Sequence, residues 1–319
     1  MNYVLRRLLM FPLVMLGVSV FVFVAIRLVP GDAITAMLGT ESGLLTPAQR
    51  ESLAAYFGLD QNWVVQYGRW LIGLLQGDLG LSVTYGQPVS QIIMERFPLT
   101  LELALLSMLI ALLIGLPAGV FAATRVERPS DLVVRIFAMI GQSTPNFVLA
   151  LLAIYVLSVG FGTLPTMGRF VPLTEDPLGN LAQLILPALA LGTAFAAAVT
   201  RISRAAMLDI LGEDYVRTAR SKGFSQSYVI WRHALPNALI PVVTLSGVEF
   251  GYLLGGAVIV EQIFALPGLG RVVLDAILQR DYALVQGVVL FIAFNFLVVN
   301  LIVDLAYAAL DPRIRYGES

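Results

Sequence analysis

The sequence predicts an all-α integral membrane protein, and its composition is the first reason. Of its 319 residues, 58% are hydrophobic and only 13% are charged, whereas about 25% of the residues of a soluble domain are charged. The second reason is a series of apolar stretches, each long enough to cross the roughly 30 Å hydrocarbon core of a bilayer as a helix. We therefore expect six transmembrane helices and a multi-pass protein of the cell (inner) membrane, surrounded by the lipid bilayer.

Composition also excludes several classes of function. A net charge of −1 provides no basic field for nucleic acid. The chain has no cysteine, and one histidine, His233, cannot form a multi-histidine metal cluster. Lys222 precedes its glycine instead of following one, so the sequence contains no Walker phosphate loop. We expect no metal, no cofactor and no catalytic residue in this chain, and no nucleic-acid partner.

The region at residues 1–98 combines one span with more polar sequence. Residues 9–29 are apolar and predict the first transmembrane helix. This run is longer than the core of a signal peptide and no small-residue cleavage pattern follows it, so we expect it to be retained. Thr46 and Gln49 form a capping-box pattern that predicts a helix ending at Gly58. A second helix at residues 61–76 is predicted by a stripe of Trp63, Tyr67, Trp70, Leu71 and Leu74.

The remaining spans form a five-helix core over residues 99–309, followed by a tail at residues 310–319. The fourth and fifth spans are rich in small residues, which let helix backbones approach closely. Basic residues are concentrated on the side that holds both chain ends and the polar loop at about residues 201–239, so the positive-inside rule places both termini in the cytoplasm. The predicted limits of the core spans are 99–123, 132–160, 181–199, 240–263 and 283–309.

Two polar features within the spans are candidates for lining a pathway. The third span contains Ser143, Thr144 and Asn146 around a proline, and such a break is tolerated only against protein or a water-filled cavity. This break is either part of a pathway or a kink supported by neighbouring helices. Glu249 lies near the middle of the fifth span, where a charge costs on the order of 2.5–3.5 kcal/mol. It either meets a substrate amine or bonds to a neighbouring helix.

A polar stretch at residues 213–241 separates the fourth and fifth spans and must lie outside the bilayer. Its first half predicts a short helix, with Ala219 on one face and Arg217 and Arg220 three residues apart. Gly223 is a natural end for that helix. Two interpretations remain open on physical grounds, namely a docking element for a partner subunit and an ordinary basic cytoplasmic loop.

The spacing of this stretch resembles the coupling-loop motif of ABC importer permeases. That motif reads Glu-Ala-Ala, three residues, Gly, nine residues and then Ile-x-Leu-Pro. The positions that the chain keeps are Ala219, Gly223, Leu235 and Pro236. The positions at which it departs, in a way that resembles the peptide and nickel branch of the family, are Arg217, Thr218 and His233. Segments resembling the same branch extend over almost the whole chain, at residues 3–8, 30–32, 266–270 and 310–314.

The resemblance implies a fold, an activity and a set of partners. The fold would be the type I ABC importer permease architecture, with an extracytoplasmic helical insertion after the first helix. The chain would form half of a translocation pathway for dipeptides, oligopeptides or a related small solute. Its partners would be a second homologous permease, an extracytoplasmic substrate-binding protein and two cytoplasmic ATP-binding cassette subunits, which would bind ATP and Mg. The residues implied in coupling to an ATPase are Tyr215, Arg217, Thr218, Ala219, Arg220, Gly223, His233, Leu235 and Pro236.

Two alternatives remain at this stage. The helices predicted before residue 98 are either a platform that meets the substrate-delivery protein or a cap that only covers the bundle. The chain is either such a permease or a stand-alone secondary transporter or channel that uses Glu249 and Asp304 as a proton relay. Inverted repeats would favour the stand-alone transporter, and we detect none in the sequence.

Overall fold

The described part of the chain consists of helices joined by short turns. The computed structural model describes residues 3–28, 43, 45–56, 60–161 and 169–310, so the helix end predicted at Gly58 lies outside the described residues. Within these ranges there is no strand beyond an isolated bridge between Leu81 and Pro88, which confirms the all-α prediction. The helices are α1 (Tyr3–Leu28), α2 (Pro47–Tyr56), α3 (Trp63–Leu75), α4 (Val89–Ala123), α5 (Pro129–Ser143), α6 (Asn146–Phe161), α7 (Pro177–Leu211), α8 (Asp214–Ser221), α9 (Gln226–Tyr228), α10 (Leu235–Gly256), α11 (Val258–Ile263), α12 (Leu269–Leu278) and α13 (Tyr282–Leu310).

Several of these helices are long and apolar enough to cross a membrane. Within the described residues, the five such stretches are Leu9–Leu28, Val89–Ala123, Pro177–Leu211, Gln226–Gly255 and Tyr282–Leu305. The number rises to six if α5 and α6, which meet at 99°, are counted as one bent span. The multi-pass membrane character is therefore confirmed.

The break between α5 and α6 lies where the sequence predicts it. Thr144 has an extended backbone with ψ of 120°, because a proline disfavours the helical conformation of the residue before it. The Thr144 hydroxyl donates a hydrogen bond to the Ile140 carbonyl at 2.8 Å and so satisfies a carbonyl at the end of α5. Residues 132–160 are therefore two helices at a steep angle and not one continuous span.

The chain divides into two compact units. The first unit comprises the described residues of Met1–Thr100 and Pro267–Leu297, and the second comprises those of Leu101–Leu266 and Val298–Ser319. The units change within α4, between α11 and α12, and within α13.

In the first unit, α3 packs along the last turns of α1. The Tyr67 hydroxyl lies 2.8 Å from that of Ser19, and the rings of Tyr67 and Phe23 are 5.2 Å apart in an edge-on arrangement. Ser19 lies about 13 Å before the end of α1 at 1.5 Å rise per residue. The aromatic residues of α3 therefore cover the apolar surface of α1, while Val64 and Leu75 of the same helix stay exposed.

The predicted capping box at the start of α2 is confirmed. The Thr46 amide donates to the Gln49 Oε1 at 2.9 Å, and the Gln49 amide donates back to the Thr46 Oγ1 at 3.3 Å. These reciprocal bonds satisfy donors that the first turn of a helix leaves free.

In the second unit, α7 is the helix against which α5, α6, α10 and α11 pack. Small residues allow it to approach α4 closely, as the sequence predicts. A Cβ atom added to Gly115 would lie 2.5 Å from the Ala196 carbonyl oxygen, and one added to Gly192 would lie 2.8 Å from the Ser107 carbonyl oxygen. These two glycines fix the α4–α7 contact, because a larger side chain would separate the helices.

A buried ion pair fastens α5 to α7. The Arg204 guanidinium donates to both carboxylate oxygens of Asp131, at 2.8 and 2.9 Å, and Arg135 lies 3.6 Å away on the same helix as the aspartate. Asp131 is only 1% exposed. A bidentate arginine is the partner that suits a buried carboxylate, so this pair holds the start of α5 in place.

Candidate functional site

The residues that the family resemblance implies in coupling to an ATPase lie in a helical hairpin of the second unit. We call this segment the coupling hairpin; it comprises α8, α9, the π-helical turn Val229–Ala234 and the first turn of α10. The sequence favours α8, because Asp214 lies in its first turn and Arg220 in its last, which suits the helix dipole. The hairpin follows directly after α7, so it continues the helix that organises this unit.

One face of α8 is fixed to the chain itself. Val216 and Ala219 are 0% and 6% exposed and pack with Val229 from the other side of the hairpin. Ile210 and Leu211 at the end of α7 complete this small core. The close approach that Ala219 permits is thus between α8 and the chain's own return segment.

The opposite face of α8 is polar and exposed. The exposed residues here are Arg217, Thr218 and Arg220, and none of them belongs to the Val216 cluster. The Arg217 guanidinium lies 3.4 Å from the Asp214 carboxylate, but these side chains are 75% and 94% exposed. Such a pair contributes little to stability, so the guanidinium is available to a partner.

Gly223 ends α8 for a conformational reason. Its φ is +83°, in the left-handed region that favours glycine, and its amide donates to the Arg220 carbonyl at 3.0 Å. No atom lies within 4 Å of the position that a Cβ would occupy. The requirement for glycine therefore comes from the backbone and not from crowding.

His233 and Tyr215 connect the hairpin to the start of α10. The Asn237 side-chain amide donates to the Tyr215 hydroxyl at 2.9 Å and to the His233 carbonyl at 3.1 Å. The His233 ring packs against the rings of Phe224 and Tyr228, at 5.9 and 5.6 Å between centroids. The position of His233 is therefore internal to the hairpin.

The two remaining residues of the motif lie where α10 begins. Leu235 is 8% exposed and packs with Met207 and Val120 in the core of the second unit. Pro236 is exposed in the first turn of α10, where a proline costs no helix hydrogen bond. Val216, Val229 and Asn237 were missed by the sequence reasoning. The spacing of Val216 three residues before Ala219 is the signal that could have identified the buried face.

The structure brings two of the predicted pathway residues together. Asn146 and Glu249 line one cavity of about 250 Å³ in the second unit, and Gln142 and Tyr252 line it with them. Ser143 and Thr144 are not among the described residues of this lining, nor is Asp304. At the end of α5, the polar residue that lines the cavity is instead Gln142, whose amide oxygen accepts a hydrogen bond from Arg201.

The chemistry of this cavity is that of an acceptor-rich site with apolar walls. The Glu249 carboxylate and the Asn146 side-chain oxygen supply acceptors, the Gln142 oxygen already accepts from Arg201, and Phe195 and Leu253 supply apolar surface. Such a wall suits an ammonium group attached to an organic body. Within the described residues, no group of three or more His, Cys, Asp or Glu side chains could hold a metal ion.

Comparison with known proteins identifies the family. The model of the "Binding-protein-dependent transport system inner membrane component" family matches residues 115–316, and the model of the N-terminal part of such components matches residues 1–104. The chain belongs to this family. It is a permease subunit of an ABC importer, as the coupling-loop resemblance implies, and permeases of this family work with a binding protein, ATPases and a partner permease.

Relatives of known name extend over the full chain. A protein of Brucella abortus (strain 2308) that is named a peptide transport system permease is 44% identical over 313 residues, 98% of each chain. The oligopeptide transport system permease protein AppB of Bacillus subtilis (strain 168) is 42% identical over 98% of this chain and 99% of its own. The glutathione transport system permease protein GsiC of Salmonella paratyphi A is 42% identical over 99% of both.

Solved structures agree on the fold. The inward-facing MetNI methionine ABC transporter matches with a TM-score of 0.54 and 19% identity, over 70% of this chain and 97% of that chain. An amino acid ABC transporter with histidines matches with a TM-score of 0.51 and 21% identity, over 70% and 94%. The alternative of a stand-alone secondary transporter or channel finds no support, because the family is binding-protein-dependent and Asp304 does not share the cavity of Glu249.

Proposed function

We propose that this permease forms half of the pathway of an importer for peptides or related amine-bearing solutes, and that the exposed face of α8 docks on one ATPase. The observation that carries the proposal is the division of α8 into two faces. Val216 and Ala219 hold the helix to its own chain, while Arg217 and Arg220 remain exposed. A helix fixed on one side and cationic on the other suits a docking element that meets carboxylates of a partner.

The second permease would be homologous to this chain, and two cytoplasmic ATP-binding cassette subunits would bind the ATP and Mg²⁺. An extracytoplasmic binding protein would deliver the solute. In this arrangement the chain has six spans with α5 and α6 as one bent span, and both termini are cytoplasmic. The region of α2 and α3 then lies toward the extracytoplasmic side as the insertion of a type I permease.

Force would travel from α8 into the membrane through α10. Tyr215 of α8 is hydrogen-bonded to Asn237 at the start of α10, and α10 also carries Glu249 on the cavity wall. The Val216 cluster joins α8 to the end of α7, which supplies Phe195 to the same cavity. ATP-driven closure of the ATPases would displace α8 and so bias the bundle between two access states.

The cavity supports a solute with an ammonium group. Glu249 would pair with that group while Gln142 and Asn146 accept or donate hydrogen bonds to amides. Relatives of this chain are named for oligopeptide and glutathione transport. Peptides and glutathione each carry an α-ammonium group beside amide bonds, so peptides are the substrate class that best fits the cavity.

The absence of cysteine from the sequence allows a direct test of docking. In the variant Arg217→Cys, the introduced thiol is the only one in the chain and can be linked to lysines of the partner subunits by a short thiol–amine reagent. We expect linkage to an ATPase subunit that changes in yield when ATP is added. Arg169→Cys is the matched control, because Arg169 is exposed and follows the third span, on the side opposite the coupling hairpin in the proposed topology; it should give no ATPase linkage. Linkage of the control to the ATPase, with none from position 217, would contradict the proposal.

A further inference from the structure

A mostly apolar groove of about 270 Å³ lies in the first unit, and none of its lining residues belongs to the coupling hairpin or the acceptor-rich cavity. Phe21 and Ala25 of α1 line one side, and Tyr282 and Val289 of α13 line the other. Phe21 is 72% exposed, so the groove is open to its surroundings. Arg280 is the one charged residue that lines it.

The groove runs along two membrane-spanning stretches. The stretch Leu9–Leu28 ends two residues after the lining residue Ile26, and Tyr282–Leu305 begins two residues after Arg280. Val289 lies about 10 Å further along α13 than Tyr282, at 1.5 Å rise per residue. The apolar walls therefore extend from the polar boundary into the hydrocarbon region of a bilayer. Acyl chains are the apolar material available at that depth, so a lipid chain is the occupant that the walls fit.

The boundary end of the groove is cationic. Arg27 does not line the groove itself; its guanidinium lies over the Phe23 ring at 3.5 Å and 5.9 Å from the centroid of the lining Tyr282 ring, so it lies at the Tyr282 end of the groove. Its side chain donates hydrogen bonds to the Gln66 Oε1 at 3.0 Å and to the Phe23 carbonyl at 3.2 Å, and both acceptors are uncharged. Two guanidinium groups at the mouth of an apolar groove form the arrangement that retains an anionic headgroup.

The adjacent carboxylate does not neutralise this end. Asp281 is 1% exposed, and its carboxylate accepts hydrogen bonds from the Ser82 hydroxyl at 2.5 Å and from the amides of Thr84 and Leu284 at 3.0 and 3.1 Å. These bonds also hold the α12–α13 turn, where Arg280 has a φ of +55°. The turn therefore fixes the backbone of Arg280 and leaves its side chain to face the groove.

We propose that the groove is a binding site for one anionic glycerophospholipid, with an acyl chain between α1 and α13 and the phosphate at Arg280 and Arg27. The lipid fills the open seam beside Phe21 and joins α1 to the start of α13. Because the site lies outside the coupling hairpin and the cavity, it is independent of the proposed transport function.

Native mass spectrometry of the purified importer tests the site. Delipidated complex is mixed with dioleoyl-phosphatidylglycerol, and the lipids that this chain retains are counted after detergent removal. We expect about one retained lipid per chain in the wild type, and about fivefold less retention in Arg280→Gln because an arginine–headgroup attraction is lost. Ala25→Phe should also lower retention, since the larger side chain fills the groove.

Matched controls separate the groove from general lipid contact. Arg69→Gln removes an exposed arginine of α3 in the same unit, and Val20→Phe enlarges an exposed residue of α1 that does not line the groove. Both should retain the lipid as the wild type does. Equal retention by Arg280→Gln and wild type overturns the proposal, and so does equal retention of zwitterionic dioleoyl-phosphatidylcholine. The comparison of the two lipids on wild-type complex remains decisive if Ala25→Phe fails to assemble.

Discussion

Substitutions of Gly223 test the coupling hairpin most directly, because only the backbone conformation requires a glycine at this position. Its φ is +83° and the space beside it is empty. A substitution there therefore changes the backbone energy without creating a clash. Placing an L-residue in this conformation costs about 1–2 kcal/mol, and the cost is lowest for Asn and highest for β-branched residues. That energy corresponds to about a 5- to 30-fold lower ratio of native to non-native hairpin.

The matched pair is Gly223→Val and Gly223→Asn. We expect the Val variant to import a labelled dipeptide more slowly than the Asn variant, with about 5- to 30-fold as the upper range of the difference, while the complex retains ATP hydrolysis. The assay combines uptake by cells that lack the native chain, abundance in the membrane by immunoblot, and ATPase activity of purified complex in proteoliposomes. Equal uptake by the two variants at equal abundance would refute a role for hairpin geometry in coupling.

A third substitution at this position separates charge from conformation. Gly223→Asp tolerates a positive φ in the same way as Asn, but it adds a carboxylate beside the cationic face of α8. We expect it to uncouple transport from ATP hydrolysis while the subunit still inserts into the membrane. A loss of uptake in the Asp variant that is absent from the Asn variant would assign the effect to the docking charge.

Two further predictions concern the second unit. Arg204→Gln removes the bidentate partner of the buried Asp131 carboxylate and leaves only Arg135 beside it. We expect a loss of about 1–3 kcal/mol in the free energy of unfolding, measured as a lower Tm of the purified complex. The double variant with Asp131→Asn should recover part of this loss, and a single variant as stable as the wild type would show that the ion pair does not stabilise the fold. Glu249→Gln should raise the KM for a dipeptide about tenfold or more, since a charge-assisted hydrogen bond is lost, with little change in substrate-independent ATPase activity. Thr244→Val is its control, because Thr244 is exposed on α10 and does not line the cavity. An unchanged KM in Glu249→Gln would count against ammonium recognition.

Local features of the fold could be predicted because they depend on neighbouring residues. The Thr46–Gln49 capping box, the end of α8 at Gly223 and the break before Pro145 each follow from two to five adjacent residues. The apolar stretches predicted membrane spans in the same way, because hydrocarbon thickness sets one length for every helix. Helix limits were less accurate, and α7 continues to Leu211, well past the predicted residue 199.

Contacts between distant residues could not be predicted. Asp131 and Arg204 are separated by many residues, and no local pattern relates them. The motif drew attention to Ala219 and His233 without indicating the face on which they lie. Both lie inside the hairpin, because α8 is rotated so that Val216 is buried.

The sequence by itself determined that this protein crosses a membrane and has the loop of an ABC importer permease, since apolar length and short motifs are properties of contiguous residues. Only the tertiary structure decided which residues line the same cavity or groove. It placed Glu249 beside Asn146 and left Asp304 out, and it opened a groove with Arg280 at its end. The physical reason is that a cavity is made by helices far apart in the chain, and their rotation and depth are set by packing that no single segment contains.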